Sequence, residues 1–247
     1  MVNGTKMESE IMHEALQPER LYVTVDILIL SVREGKLTIL LSRRNDPPYA
    51  RRWALLGRFL GLDESMESAV RKLMDEMLPI ADPFMEQLYT FADVNRDPRG
   101  RVISSAYLVI LPWQRLNVEL AKGNTPLRPY EVRMDRTGLI LKGEDGEILR
   151  GSDLAFDHGR IIETGVTRLQ GKIDYTDIGF RFLNDTEAFS LSELQTVFEA
   201  VLDRPLDISN FRRFILGRYE KNGRMVQTEQ AEKKGRGRPA VLYRLKD

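Results

Sequence analysis

Arg71, Lys72, Asp75 and Glu76 stand close together within residues 57–77, two bases followed one helical turn later by two acids. Carboxylates at such spacing suit magnesium, which takes oxygen ligands in near-octahedral order, commonly one or two carboxylates plus phosphate. Lys72 works against that chemistry, because an ammonium adds a positive charge where a cation would have to bind. It precedes Glu76 by four residues, a spacing that lets the two pair on a helix surface. A second set, Arg43 and Arg44, opens the loop Asn45-Asp46-Pro47-Pro48, and the arginine fork of donors suits a phosphate or ribose phosphate. A third set is basic and near the C-terminus: Arg212, Arg213, Lys234, Arg236 and Arg238. The two histidines, His13 and His158, are far apart and lie in no nucleophile context, so both read as structural or solvent-exposed. With no cysteine, disulfides, thiol catalysis and the usual zinc sites drop out.

These residues need a frame. Residues 57–77 read as a glycine-bounded loop turning into a helix, with Ser65 as N-cap and Asp63 and Glu64 beside the helix's positive end. Met66, Ala69, Val70, Leu73 and Met77 form one apolar stripe at helical spacing. Upstream, residues 21–31 and 37–42 read as buried strands around a Glu34-Gly35 turn. Residues 85–94 and 102–111 read as two more strands, around the polar turn 95–100. Strands flanking helices without regular alternation predict an α/β (α+β) sandwich rather than a doubly wound sheet. Residues 112–152 are less regular; 132–141 and 147–149 flank Gly143-Glu144-Asp145-Gly146, which looks like a hairpin turn. A long helix follows from Leu154 through Leu169.

The charge balance then shifts. Residues 203–247 carry twelve Lys and Arg against six Asp and Glu, while the whole chain is balanced at 37 and 37. A basic module appended to an acidic one is a nucleic-acid footprint. Ser190 caps a helix over 191–202 with Leu194, Val197, Phe198 and Val201 on one face. After a short break, a second helix over about 207–218 is expected to bury Ile208, Phe211, Phe214 and Ile215 and to expose Ser209, Asn210, Arg212 and Arg213. Such a pair fits a helix-turn-helix whose second member enters the major groove. Residues 225–227 and 240–245 can pair as a wing, with Lys234, Arg236 and Arg238 at its tip, able to approach phosphate or minor groove.

The 247 residues suit one large domain or two small ones. The first residues carry Glu8, Glu10, Glu14 and Glu19 and form no signal peptide, and no apolar run nears the about 18 residues of a membrane helix. A soluble cytoplasmic protein without membrane partners is expected.

Residues 57–77 resemble the Nudix box, in which a loop-helix-loop holds magnesium in hydrolases of linked nucleoside diphosphates. Gly57, Asp63, Arg71, Leu73, Asp75 and Glu76 fall on its pattern, two of them as Asp for Glu, and Trp53-Ala54-Leu55 matches the usual lead-in. Lys72 replaces a metal-binding Glu of the pattern, and Leu78 replaces its Gly. Leu154-Ala155-Phe156-Asp157-His158 with Gly171-Lys172-Ile173-Asp174-Tyr175-Thr176 resembles the linker of the Nudix-related transcriptional regulators, the NrtR group. Residues 206–214 and 237–244 resemble that group's DNA-binding half. The resemblance implies a leader over 1–19, a Nudix-like effector-sensing α/β/α sandwich over 20–166 with an inserted hairpin at about 128–150, and a winged helix over 167–247. It also implies a homodimer on a palindromic operator in double-stranded DNA, acting as a repressor without a cofactor. A nucleotide or sugar metabolite such as ADP-ribose or a sugar phosphate would be the effector, contacted by Arg43, Arg44 and Trp53. In that reading there is no enzyme, Asp75 and Glu76 being relics of a metal site. The alternative is an active magnesium-dependent hydrolase of ADP-ribose-like substrates with an accessory domain, its metal held by Asp75 and Glu76 with Glu67 or another acid.

Overall fold

The computed structural model describes residues 21–232 and 240–246; the expected leader and wing tip lie outside the described residues. Strand β1 (Tyr22–Arg33) turns at Glu34 and Gly35 into β2 (Lys36–Arg43). Both turn residues have positive φ, 50° and 72°, the pair of left-handed positions a two-residue hairpin turn requires. Short strands β3 (Trp53–Ala54) and β4 (Leu56–Phe59) lead to helix α1 (Met66–Met77). Ser65 caps α1 as expected, its hydroxyl accepting from the Ser68 amide at 3.1 Å. Strands β5 (Phe84–Phe91) and β6 (Val102–Ile110) follow, then helix α2 (Trp113–Ala121), which sequence pattern alone had left unassigned. The chain continues through β7 (Arg128–Asp135), β8 (Gly138–Gly143) and β9 (Ile148–Arg150) into helix α3 (His158–Lys172).

The large sheet has the order β5-β6-β1-β2-β7-β8-β9, with β3 on β2 and β4 on β1. Among the described strand ladders β1–β6 alone is parallel, with Tyr22 to Leu30 opposite Val102 to Ile110, and a single parallel bridge joins Trp53 to Leu154. Residues 128–150, expected as an inserted hairpin, are three strands that continue the sheet from β2, with Thr38 opposite Glu131.

Alternation along β1 sends side chains to opposite faces. Val25, Ile27 and Ile29 join α1 and α2 in one core with Ala69, Val70, Leu73 and Leu116. Leu28 and Leu30 join α3 on the other face with Ile161, Ile162, Val166 and Leu169. This is the α/β/α sandwich expected. Gly165 lets α3 lie close on the sheet, since a Cβ there would come within 2.3 Å of Leu28 Cδ2.

The second core does not stop at the sandwich. It runs on through Ile173, Phe180 and Phe189 into Leu194, Phe198, Phe211, Ile215 and Met225. Those residues belong to the C-terminal unit: β10 (Phe189–Ser190), α4 (Leu191–Leu202), α5 (Ile208–Ile215), β11 (Met225–Glu232) and β12 (Ala240–Leu245). Its sheet has the order β10-β12-β11, so two helices precede a β-hairpin wing. Polar ties reinforce the junction: Lys172 Nζ meets Glu86 at 2.7 Å, Gln170 donates to the Val201 carbonyl at 3.0 Å and the Tyr219 hydroxyl donates to the Thr176 carbonyl at 3.0 Å. Among the described residues no helix is long and apolar enough to cross a membrane.

Candidate functional site

The helix that carries the paired acids is built as its sequence demands, but its charges pair differently. Lys72 Nζ meets Glu64 Oε2 at 2.9 Å rather than Glu76. Glu64 also accepts from the Gly61 amide at 2.7 Å and faces Arg58 at 3.2 Å. The Lys72 hydrogen bond, with that of the Gly61 amide, holds the Glu64 carboxyl below the usual carboxylate range. The loop before α1 holds Glu64 against Lys72, and a carboxylate fixed by a second donor, the Gly61 amide, outcompetes a solvated partner on the helix surface. Asp75 and Glu76 are exposed. Leu78, at the position where the resembled motif has glycine, is fully buried in the α1 core, its amide bonded to the Met74 carbonyl. Gly57 is required sterically, because a Cβ would meet Asp26 Oδ1 at 2.3 Å and the Val25 carbonyl oxygen at 3.1 Å.

Behind Gly57 lies a buried polar network that the sequence did not announce. Arg96, from the β5–β6 loop, donates to both oxygens of Asp157 (3.0 and 2.7 Å) and to Asp26 Oδ2 at 3.1 Å. Ser104 donates to the same Asp26 oxygen at 2.6 Å. Burial acts against the Arg96 charge, but hydrogen bonds and the two carboxylates outweigh it and raise its pKa. His158 accepts the Leu55 amide on Nδ1 at 2.9 Å, and its Nε2 stands 3.6 Å from Asp26 Oδ1. Burial pushes its pKa down, so it is held neutral. Asp157 occupies the N-cap position of α3 yet makes no side-chain cap bond; its carboxylate goes to Arg96.

A pocket of about 140 Å3 opens over this network, lined by Asp26, Arg44, Arg58, Phe59, Arg96, Arg99, Phe156 and His158 among others. Phe156 has φ 51°, a conformation unusual for a bulky residue and found where surrounding structure over-determines it. Arg44 lies over its ring at 4.8 Å and Arg99 at 5.4 Å. Burial, then the charge of Arg99, pulls the Arg44 pKa down, whereas Arg99 is already held by Asp97 at 3.0 and 2.7 Å, which raises its pKa, so Arg44 is the guanidinium that an anion would relieve.

The structure divides the three residues expected at an effector. Arg44 faces this pocket, whereas Arg43 and Trp53 belong to a neighbouring cluster. There the Trp53 indole and the Tyr130 hydroxyl both donate to Glu147 Oε2, at 3.0 and 2.5 Å, and Arg43 lies 5.9 Å from the Trp53 ring centre. Burial, then Glu147, drives the Tyr130 pKa well above its ordinary value. Arg43, Arg44, Asn45 and Arg51 line a shared opening between the two groups. Sequence reasoning missed Arg96, Arg99, Phe156 and Glu147; the quoted linker segment held the one available signal, Phe156.

At the other end of the molecule, α4 and α5 meet across a tight turn. Ser190 and Glu193 cap α4 reciprocally. Asp203 ends it in the left-handed conformation, φ 49°, and Glu199 accepts the Leu206 amide at 2.8 Å. Asp207 caps α5 through the Asn210 amide at 2.8 Å. Ser209, Asn210, Arg212 and Arg213 are exposed, as expected, and Arg213 donates to Asn210 Oδ1 at 2.6 Å. Phe211 and Ile215 are buried, the former against Phe198 at 5.1 Å. Two expectations fail: Ile208 is 64% exposed and Phe214 38% exposed. Phe214 meets α4 only by its edge, against the Phe198 ring at 6.4 Å, and Ile208, at the helix's first residue, projects beyond α4 into solvent. Strands β11 and β12 pair as the wing, Met225 opposite Leu245. Lys234, Arg236 and Arg238 lie outside the described residues.

Comparison with known proteins accords with this arrangement. Residues 179–245 match the NrtR DNA-binding winged helix domain. The chain is 31% identical over 226 residues to the ADPR responsive transcriptional repressor NtrR of Acinetobacter baylyi, covering 90% of this chain and 81% of that protein. Its fold resembles that of Shewanella oneidensis NrtR crystallised with a 27mer DNA, with TM-score 0.70, 29% identity and coverage of 91% and 93% of the two chains. A MutT/nudix family protein from Enterococcus faecalis shares the fold, with TM-score 0.73, 23% identity and coverage of 99% and 94%.

Proposed function

Because this chain belongs to the NrtR family of transcriptional regulators, we propose that it is a repressor that grips duplex DNA with α5 and the wing and senses ADP-ribose in its Nudix-like half. The observation that carries the reading is the capped, exposed face of α5, where Ser209, Asn210, Arg212 and Arg213 stand clear of the core in the helix that follows a tight turn. The second helix of such a unit enters the major groove, and its first residues reach base edges. Lys234, Arg236 and Arg238, outside the described residues, are the further bases the sequence offers to DNA. Residues 20–166 form the sensing half and 167–247 the reading half, two chains meeting a palindromic operator.

The effector pocket centres on Arg44, with Arg99 beside it for the diphosphate and Phe156 as the ring surface; Arg43 and Trp53 stand in the neighbouring Glu147 cluster. A ligand that alters operator affinity must bind one state more tightly than the other, and DNA then alters its affinity by the same factor.

The donor set around α1 does not suit magnesium. Among the described residues no group of three or more His, Asp or Glu could hold a metal ion. The position of the third carboxylate carries Lys72, bonded to Glu64. A degenerate, non-catalytic box is the reading these contacts support.

Fluorescence anisotropy against an operator obtained by in vitro selection tests the whole. Specific binding that weakens steeply with salt and shifts on adding ADP-ribose is expected. Turnover of ADP-ribose with magnesium at about 1 per second or more, without DNA affinity at low salt, would establish the hydrolase instead.

A further inference from the structure

The sensing and reading halves together line an open crevice of about 960 Å3 that shares no residue with the Phe156 pocket. That volume is in the range of small-molecule sites. Its walls come from α1, residues 79–85 before and within β5, residues 110–112 at the end of β6, Arg115, Val118 and Glu119 of α2, and residues 180–186 of the C-terminal unit. Three guanidiniums line it, those of Arg71, Arg115 and Arg181. Arg181 lies over the Phe84 ring at 5.4 Å. Arg71 and Arg115 have no carboxylate partner among the described residues. Two acids also line the crevice, Asp82 and Glu119, but both oxygens of Glu119 are taken by Lys122 at 2.7 and 2.8 Å. The balance is therefore an excess of unpaired positive charge over an apolar floor that includes Phe180 and Leu111. Arginine forks select planar oxyanions, phosphate above all.

From this geometry we infer that the crevice is a second ligand site, taking a small organophosphate with its phosphate on Arg71 and Arg115 and its organic part against Phe84 and Val118. The site is separate from the pocket at Arg44 and stands independently of what that pocket binds. Because its walls belong to both halves, an occupant ties them together.

Full-length protein labelled with 13C at methionine methyls tests this directly, since Met85 lines the crevice and Met134 does not. Adenosine 5′-monophosphate and glycerol 3-phosphate are the probes. Saturable movement of the Met85 signal is expected with at least one of them, and the Arg71→Ala/Arg115→Ala variant should weaken it about tenfold or more, as loss of charge-assisted hydrogen bonds requires. The Arg44→Ala/Arg99→Ala variant should leave that movement in place. A Met85 signal indifferent to both probes up to about 10 mM, an unchanged affinity in Arg71→Ala/Arg115→Ala, or movement abolished by Arg44→Ala/Arg99→Ala would each overturn the site.

Discussion

Replacing Arg96 by Ala removes the cation that stands between two buried carboxylates. The Arg96 and Asp26 side chains are 3% and 8% exposed, and Asp157 is 14% exposed. Breaking a buried ion pair by deleting one partner costs about 3–5 kcal/mol, because the remaining charge is left without compensation. Here Asp26 keeps the Ser104 hydroxyl at 2.6 Å and water can reach Asp157, which places the loss near the lower end, about 3 kcal/mol. Set against a total of about 5–15 kcal/mol for a folded domain, that is a large fraction. Urea denaturation followed by far-UV circular dichroism should show the midpoint falling by about 1 M or more with little change in slope. Adding Asp26→Asn to Arg96→Ala should recover part of the loss, since one uncompensated charge disappears. A single variant that loses less than about 1 kcal/mol, or a double variant no more stable than the single one, would show that the network is solvated and the burial argument wrong.

Other outcomes follow from contacts already described. His158 is held neutral with its pKa below the unfolded value of about 6.5 by burial, so the unfolded chain binds the extra proton and stability falls as pH drops below that value; this slope should flatten in His158→Gln, as read by unfolding free energy between pH 7 and 5. Lys72→Glu should raise manganese affinity, measured by calorimetry, and no rise would count against the role given to the lysine. Arg212→Ala and Arg213→Ala should each cost about 1–3 kcal/mol where a base contact is lost, or reduce the salt slope by about one where phosphate is touched; unchanged operator affinity in both removes them from the interface. Ile208, exposed at the start of α5, should meet a thymine methyl, the apolar mark of the major groove, so replacing the relevant thymine by deoxyuracil should weaken wild type but not Ile208→Ser.

How far the sequence could be read depended on the range of the interaction. Strands β1 and β2, the Ser65 cap and the two C-terminal helices rest on local alternation, helical stripes and capping residues, and these were legible. Helix α2 was not, because Leu116 is its sole buried residue and one contact leaves no stripe. Residues 128–150 looked like an insertion because their partner β2 lies some ninety residues earlier in the chain. Arg96 sits in a polar turn and reads as solvated; only its carboxylate partners, 70 and 61 residues away, bury it. Ile208 and Phe214 fell on an apolar stripe, yet a stripe says which side is oily and not how much of it a neighbour covers. The same limit split Arg43 and Trp53 from Arg44.

One apolar interior runs from Leu28 in the sheet to Met225 in the wing, clamped at its waist by Lys172 and Glu86. A chain built this way has no loose joint at which a metabolite's arrival could be absorbed. A change of packing in the sheet therefore reaches the wing through touching side chains, shoulder to shoulder, rather than across a linker.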